Sequence, residues 1–167
     1  MPRGTCWNLR QKYLFMVLTE STYLKIVLAR KTISNHLKTS LENIYEKYVV
    51  AKEYIPDAVQ SASRALRNKA LFFLAYQDGG ELAKLQVQEA LNMTDQLSAF
   101  STLIKHNPTS ENIYFFYNQW KHERLVIDKW FSAQVIMAHP NYLNKVVKNL
   151  TNHRDFSLKT PNRIRSV

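Results

Sequence analysis

The sequence predicts an all-α chain whose helices are short and closely connected. Its 167 residues include only three glycines and five prolines, whereas an all-β chain needs turn residues about every 8 to 12 positions. Hydrophobic residues make up 46% of the chain and aromatic residues 12%, which is typical of a folded protein. In most segments the apolar residues recur three and four positions apart, as they do in amphipathic helices.

Residues 9 to 52 predict two or three helices. No clear break divides them. "LRQKYLFMVLTE" comes first, and after Ser21 and Thr22 the stretch "YLKIVLARKTISNHLKTSLENIYEKYVV" continues the helical pattern. Pro56 ends this region, because a proline disfavours helical backbone in the residue before it. Asp57 follows, and aspartate is one of the residues that commonly begin a helix.

The segment "DAVQSASRALRNKALFFLAYQ" predicts a long helix that ends at "DGG", since glycine is favoured just past a helix end. Its predicted buried face consists of Val59, Ala62, Leu66, Ala70 and Phe73, widened by Leu71, Phe72 and Leu74. A short helix, "ELAKLQVQEALN", follows and closes at Asn92.

The remaining chain predicts further amphipathic helices separated by prolines. Thr94 and Asp95 are expected to cap a helix that ends at "HNP", and capping residues after Pro108 begin the next one. A helix from about Leu125 to Met137 and the segment "YLNKVVKNL" come next. Thr160 and Pro161 then open a last short helix, because proline suits the first helical position. The predicted core stripes are Leu97, Phe100, Leu103 and Ile104, then Ile113, Phe116, Tyr117 and Trp120, then Ile127, Trp130, Phe131 and Gln134.

These elements amount to eight to ten helices with brief connections. Short sequential helices of this kind pack as antiparallel hairpins in a curved stack. The predicted fold is therefore an all-α superhelix, a solenoid of the armadillo/HEAT-like type. No fixed-period sequence repeat is present, so any repeat is one of shape.

The net charge of +10 raises the question of a nucleic-acid or membrane partner. The basic excess lies in residues 1–56 and 138–167, while residues 57–137 carry equal numbers of acidic and basic side chains. The cations are scattered through helical patterns, which favours solvated helix faces and predicts neither partner. No run approaches the roughly 20 apolar residues of a membrane span. The single cysteine, Cys6, cannot form an intramolecular disulfide, so a reducing, cytoplasmic location is expected.

The stretch "KHERLVIDKW" begins like the zinc-protease motif HExxH. His122 and Glu123 are the first two residues of that motif, but Val126 stands where its second histidine belongs. Neighbouring residues also point about 100° apart on a helix, so these two cannot share a metal ion. Asp95, Asp128 and Glu123 are not brought together by any sequence pattern. The sequence therefore predicts no catalytic residue and no metal site.

Four uncommon strings carry a family resemblance. They are "RALRNKALFFLA", "NMTDQLSAFSTL", "VIDKWFSAQ" and "HRDFSLKTPNRIRS". In this order and at these separations they resemble the C-terminal helical domain of the bacterial-type aminopeptidase N family of zinc gluzincin aminopeptidases. The resemblance divides the chain into a poorly matched segment, residues 1–24, and residues 25–167, which look like part of that α-superhelical domain.

The resemblance implies a non-catalytic role. The family releases N-terminal residues from peptides with a zinc ion that HExxH and a distant glutamate hold on a separate upstream domain. The chain is thus expected to hold no cofactor, to cap the active-site cavity and to shape the peptide entry channel. Its implied partners are the catalytic domain and peptide substrates.

The segment "PNRIRS" resembles a family stretch beside the substrate channel. Arg165 is accordingly the first candidate to face the carboxylate end of a peptide, with Asn162 and Arg163 as further candidates. The family continues beyond this segment, so the chain is expected to be a fragment whose superhelix is incomplete at the C-terminus. The alternatives are a free-standing helical interaction module and a basic nucleic-acid-binding domain.

Overall fold

A computed structural model describes residues 9–49, 54–55 and 57–167, with side chains described from residue 20 onward. This part of the chain contains nine α-helices and no strand, which confirms the all-α prediction. The helices are α1 Leu9–His36, α2 Lys38–Lys47, α3 Ala58–Asp78, α4 Glu81–Glu89, α5 Met93–His106, α6 Ser110–Trp120, α7 Arg124–Met137, α8 Leu143–Thr151 and α9 Pro161–Arg165, with a 3-10 turn at Pro140–Tyr142 before α8. Within the described residues, every helix is too short or too polar to span a membrane.

The described part of residues 9–52 contains two helices, within the predicted two or three, and α1 runs through Ser21 and Thr22 without a break from Leu9 to His36. Serine and threonine lower helix stability by only a few tenths of a kcal/mol, roughly, when no glycine or proline accompanies them. The break falls at Leu37, which separates α1 from α2. The predicted stop at Pro56 lies outside the described residues.

Both ends of α3 form as predicted. The carboxylate of Asp57 accepts a hydrogen bond from the backbone N–H of Gln60 at 2.6 Å, which caps the helix. Gly79 and Gly80 follow the helix with φ angles of +70° and +98°. A left-handed backbone of this kind favours glycine, so the "DGG" stop has a local cause.

The predicted buried face of α3 is wrong in the N-terminal half of the helix and confirmed in the C-terminal half, where Ala70, Leu71 and Leu74 are buried. Val59 is 76% exposed, and Ala62 and Leu66 are exposed as well. The buried side chains are Arg64, Asn68, Ala70, Leu71, Leu74 and Ala75. Asn68 is buried because it has hydrogen-bond partners inside the fold. A prediction based on the spacing of apolar residues cannot identify a buried polar residue of this kind.

The cap of α5 also differs from the prediction. Asn92, and not Thr94 or Asp95, precedes the first turn, and its side chain accepts from the N–H of Asp95 at 2.9 Å. The predicted cap after Pro108 is confirmed, since Thr109 accepts from the N–H of Asn112.

The apolar stripes of α5, α6 and α7 form the main core. Phe100, Phe116 and Phe131 are fully buried, and the rings of Phe100 and Phe116 stack with centroids 4.3 Å apart. Ile127 and Trp130 join them. These residues belong to the stripes that helical spacing predicted, so the core of this region is confirmed.

A buried polar network ties four helices together. Asn68 of α3 donates to Asp95 Oδ1 of α5 at 2.7 Å, and Gln86 of α4 donates to Asn68 Oδ1 at 2.8 Å. The hydroxyl of Tyr45 in α2 donates to Gln86 Oε1 at 2.9 Å, and the amide of Asn92 donates to Asp95 Oδ2 at 2.8 Å. Asp95 thus has both carboxylate oxygens hydrogen-bonded although it is buried.

The helices form two rows, as the predicted superhelix requires. The odd-numbered helices pack in succession, α1 on α3, α3 on α5, α5 on α7 and α7 on α9. Among the described residues, the even-numbered helices pack mainly on the odd-numbered ones. The odd-numbered row is therefore the tighter one, and we call α3, α5, α7 and α9 the inner row.

The substitution Asn68→Ala tests the polar network. It should lower the free energy of unfolding by about 3 kcal/mol, because it leaves Asp95 and Gln86 buried with a partner missing. Urea unfolding followed by circular dichroism measures the change. Asn118→Ala is the matched control, since Asn118 lies exposed in α6 and should change stability by less than about 0.5 kcal/mol. Equal losses in the two variants would contradict the role of the network.

Candidate functional site

The short helix α9 is attached to α7 through Arg163. The Nε of Arg163 donates to Asp128 Oδ1 at 2.6 Å, and its Nη1 donates to the backbone oxygen of Asp155 at 2.6 Å. The guanidinium also lies over the ring of Phe131, 4.8 Å from the centroid. Only 7% of the Arg163 side chain and 17% of the Asp128 side chain are exposed. This ion pair is therefore shielded from solvent and connects the two helices directly.

Arg165 points away from Arg163 on α9, and Asn162, which lies about 100° from Arg163 around the helix, shares the face of Arg165. Residues three positions apart share a helix face, whereas residues two apart point about 200° from each other. Both side chains are exposed and line an open groove of about 620 Å³ between α5, α7 and α9. We call it the α9 groove.

The α9 groove combines apolar side chains with cations. Leu125 and Ile136 of α7 are 71% and 72% exposed along its wall. Asp128, the one carboxylate among the described residues that line the groove, is paired with Arg163. Lys129 and Arg165 form no ion pair with any described residue. The groove therefore carries a positive charge that a bound group can neutralise.

The three residues expected at the substrate channel thus divide into two kinds. Arg165 and Asn162, two of the residues expected at the channel, both line the α9 groove. Arg163 is buried and does not line that groove. The channel role of all three stays a prediction.

The other residues singled out in the sequence lie apart. His122 and Glu123 are exposed in the turn between α6 and α7. Asp95 belongs to the buried network, and Asp128 pairs with Arg163. Among the described residues, no three histidine, cysteine, aspartate or glutamate side chains cluster as metal ligands would. Cys6 lies outside the described residues.

Residues 20–167 match the protein family described as a domain of unknown function (DUF3458_C) with ARM repeats. The chain belongs to this family. The match covers the inner row and the α9 groove, and it agrees with the superhelical fold.

Three curated relatives of this ARM-repeat domain are bacterial proteins named aminopeptidase N. The chain is 32% identical to that of Haemophilus influenzae over 138 residues, 32% identical to that of Caulobacter vibrioides over 143, and 35% identical to that of Escherichia coli over 142. These alignments cover 81%, 83% and 82% of this chain. In each case the chain spans about 16% of the relative's length. The resemblance to a helical domain of aminopeptidase N is therefore confirmed.

Behind α9, the ARM-repeat domain contains a second polar cluster that sequence reasoning missed. The hydroxyl of Tyr117 donates to Asp155 Oδ2 at 2.7 Å and accepts from Arg154 Nε at 3.0 Å. The ring of His153 packs against Tyr117 and Trp130, and its Nδ1 accepts from the N–H of Asp155 at 3.2 Å. These residues come from α6, α7 and the segment "HRD" between α8 and α9, which has no helical periodicity that would indicate burial.

Burial changes the pKa values in this cluster. It lowers the pKa of His153, with the nearby Arg154 and Arg163 acting in the same direction and Asp155 against it. It raises the pKa of Tyr117, as does the hydrogen bond to Asp155. The neutral imidazole, which can accept the N–H of Asp155, is thus the favoured form in the folded chain. Burial also lowers the pKa of His106 at the end of α5, and the charge of Lys105 acts in the same direction.

Arg163→Ala tests the attachment of α9. It should lower the free energy of unfolding by about 3 kcal/mol, because Asp128 keeps its charge in a shielded place without a partner. Arg165→Ala is a matched control on the same helix, and its loss should stay below about 0.5 kcal/mol. Urea unfolding measures both, and a similar loss for the two arginines would show that the ion pair does not hold α9.

The stability of the chain should fall as the pH drops below 6.5, the ordinary pKa of histidine. His153 and His106 have lowered pKa values in the folded chain, so below pH 6.5 the unfolded chain binds more protons. Their contribution is complete above that pH and is lost toward the folded pKa values. Unfolding free energies measured between pH 5 and 8 should show a shallower slope for His153→Gln than for the unsubstituted chain. Parallel curves would contradict this assignment.

Proposed function

We propose that this chain is a non-catalytic α-superhelical part of a zinc aminopeptidase that releases N-terminal residues from peptides. In this role it caps the active-site cavity and borders the channel through which peptides enter. The relationship to a portion of aminopeptidase N supports the enzyme class. The catalytic zinc would be held elsewhere, since the described residues offer no set of three ligands.

The observation that carries the proposal is the position of Arg165 in the α9 groove. Its guanidinium is exposed at the inner row and has no ion pair among the described residues. An arginine is always charged and can pair with both oxygens of a carboxylate, which suits the C-terminus of a short peptide. Asn162, one turn away, can donate to or accept from a peptide backbone.

Arg163 has a different part in this proposal. By pairing with Asp128 it holds α9 in place and removes the negative charge that would repel a peptide carboxylate. It therefore positions Arg165 and Asn162 without contacting the peptide.

The catalytic domain of the same enzyme is the proposed partner of the chain. Leu24 and Leu28 of α1 are 54% and 65% exposed. They lie four residues apart on one face of the helix and form an apolar patch that a partner can cover. The same side chains would serve a free-standing interaction module, which is the alternative function. The two differ in whether the chain supports aminopeptidase activity.

A chimera tests the proposal. The part of this chain that aligns with Escherichia coli aminopeptidase N replaces the matching segment of that enzyme, and hydrolysis of an aminoacyl substrate and of a tripeptide is measured with and without a zinc chelator. The chimera should be active and zinc-dependent, while the 167-residue chain alone should show no turnover with added zinc. A folded but inactive chimera, or turnover by the chain alone, would contradict the proposal.

Arg165→Ala in this chimera should raise the KM for a tripeptide about tenfold, which corresponds to the loss of one charge-assisted pair. The KM for the same tripeptide with an amidated C-terminus should change little, because it has no carboxylate to lose. Arg124→Ala is the control, as Arg124 is exposed at the start of α7 and does not line the groove. An equal effect on the free and amidated peptides would exclude recognition of the carboxylate by Arg165.

A further inference from the structure

A second groove continues the α9 groove along the inner row. It has a volume of about 570 Å³ and lies between α3 and α5. Lys69 and Phe72 of α3 line one side, and Thr94 and Ser98 of α5 line the other. The two grooves share Ser101 and Met137, so they form one surface that crosses α3, α5, α7 and α9. We call this surface the inner-row strip.

Three cations lie along the inner-row strip at separate places. Lys69 stands on α3, Lys129 on α7 and Arg165 on α9, and all three are exposed. The ammonium of Lys69 lies 5.3 Å from the centre of the Phe72 ring. It forms no ion pair with a carboxylate among the described residues.

The carboxylates near the strip are already engaged. In the part of the chain that the structure describes, Asp128 is the only carboxylate that lines the strip, and its charge is compensated by Arg163. Asp95 lies buried behind Asn68, where Asn68 and Asn92 both donate to it. It weakens the positive potential at the α3 end but offers no exposed oxygen to a ligand. The strip as a whole is thus cationic, and its complement is an acidic ligand.

We propose that the inner-row strip binds acidic peptides in extended conformation, with acidic side chains placed against Lys129 and Lys69. This inference rests on the proposed function, because it treats these peptides as substrates of the aminopeptidase. The C-terminal part of such a substrate would lie along the strip. Four neighbouring helices at spacings of roughly 8 to 10 Å give a strip of about 25 to 30 Å. An extended chain advances about 3.3 Å per residue, so about eight residues fit.

The side chains between the cations favour a peptide over a nucleic acid. Leu125, Lys129 and Ile136 lie four and seven residues apart, on one stripe of α7, so apolar contacts alternate with the charge. Phe72 is the one aromatic side chain among the residues that line the described strip. Binding of single-stranded nucleic acid relies on several aromatic platforms and on many cations that follow the backbone.

Direct binding to the 167-residue chain tests the proposal. The probe is an N-acetylated, fluorescein-labelled octapeptide of alternating glutamate and leucine, compared with one in which every glutamate is glutamine. Fluorescence anisotropy should give at least fivefold tighter binding of the glutamate peptide, and added salt should reduce the difference. Lys69→Gln and Lys129→Gln should each weaken binding of the glutamate peptide two- to fivefold.

Lys145→Gln is the matched control, because Lys145 is exposed on α8, outside the inner row. An equal loss from Lys145→Gln and Lys129→Gln would show that net charge, and not the strip, attracts the peptide. Equal affinity for the glutamate and glutamine peptides would overturn the proposal. So would tighter binding of a single-stranded oligonucleotide that displaces the peptide.

The same variants in the chimera separate this inference from the proposed function. An active chimera whose KM does not distinguish glutamate from glutamine at the later positions of a peptide would reject the inner-row strip alone. An inactive chimera, with glutamate preference retained by the chain, would reject the aminopeptidase role alone. Circular dichroism shows whether each variant is folded. For a variant that is unfolded as the isolated chain, the comparison of KM values in the chimera tests the inner-row strip.

Discussion

The candidate site depends on the ion pair between Arg163 and Asp128. A helix of five residues such as α9 is not stable by itself in water, because the cost of nucleation exceeds what one turn of hydrogen bonds returns. Arg163 supplies the tertiary contact through Asp128, the backbone of Asp155 and the ring of Phe131. The same pair neutralises the only carboxylate that the described residues place in the α9 groove, so one interaction sets both the position and the charge of the site.

A second constraint lies at the other end of the inner row. Asp95 is buried and has no ion pair with any residue the structure describes, and its charge is supported by the amides of Asn68 and Asn92 and by its place in the first turn of α5. Gln86 and Tyr45 extend the network to α4 and α2. Because each member needs the others, the network specifies how these helices align. The cationic strip can exist beside Asp95 only because that carboxylate is withdrawn from the surface.

These two devices have a common consequence for function. In a superhelix each helix contacts only its neighbours, so a surface that crosses four helices needs a connection at every step. The apolar core connects α5 to α7. The polar network connects α3 to α5, and the ion pair connects α7 to α9. The arrangement presents separated cations with apolar side chains between them, which fits an extended peptide better than a compact ligand.

The sequence by itself determined the helical class, both ends of α3, the start of α9, the core stripes of α5 to α7 and the relationship to aminopeptidase N. Those signals are local or depend on the order of strings: a cap acts within three residues, and a stripe repeats every three or four. Only the tertiary structure decided that Asn68 and Asp95 are buried, that Arg163 faces inward while Arg165 faces the groove, and that His153 lies among aromatic rings. The bonds responsible join residues 27 and 35 positions apart, from Asn68 to Asp95 and from Arg163 to Asp128. A polar residue is favoured inside only when such a partner is present, and no pattern within one helix contains that information.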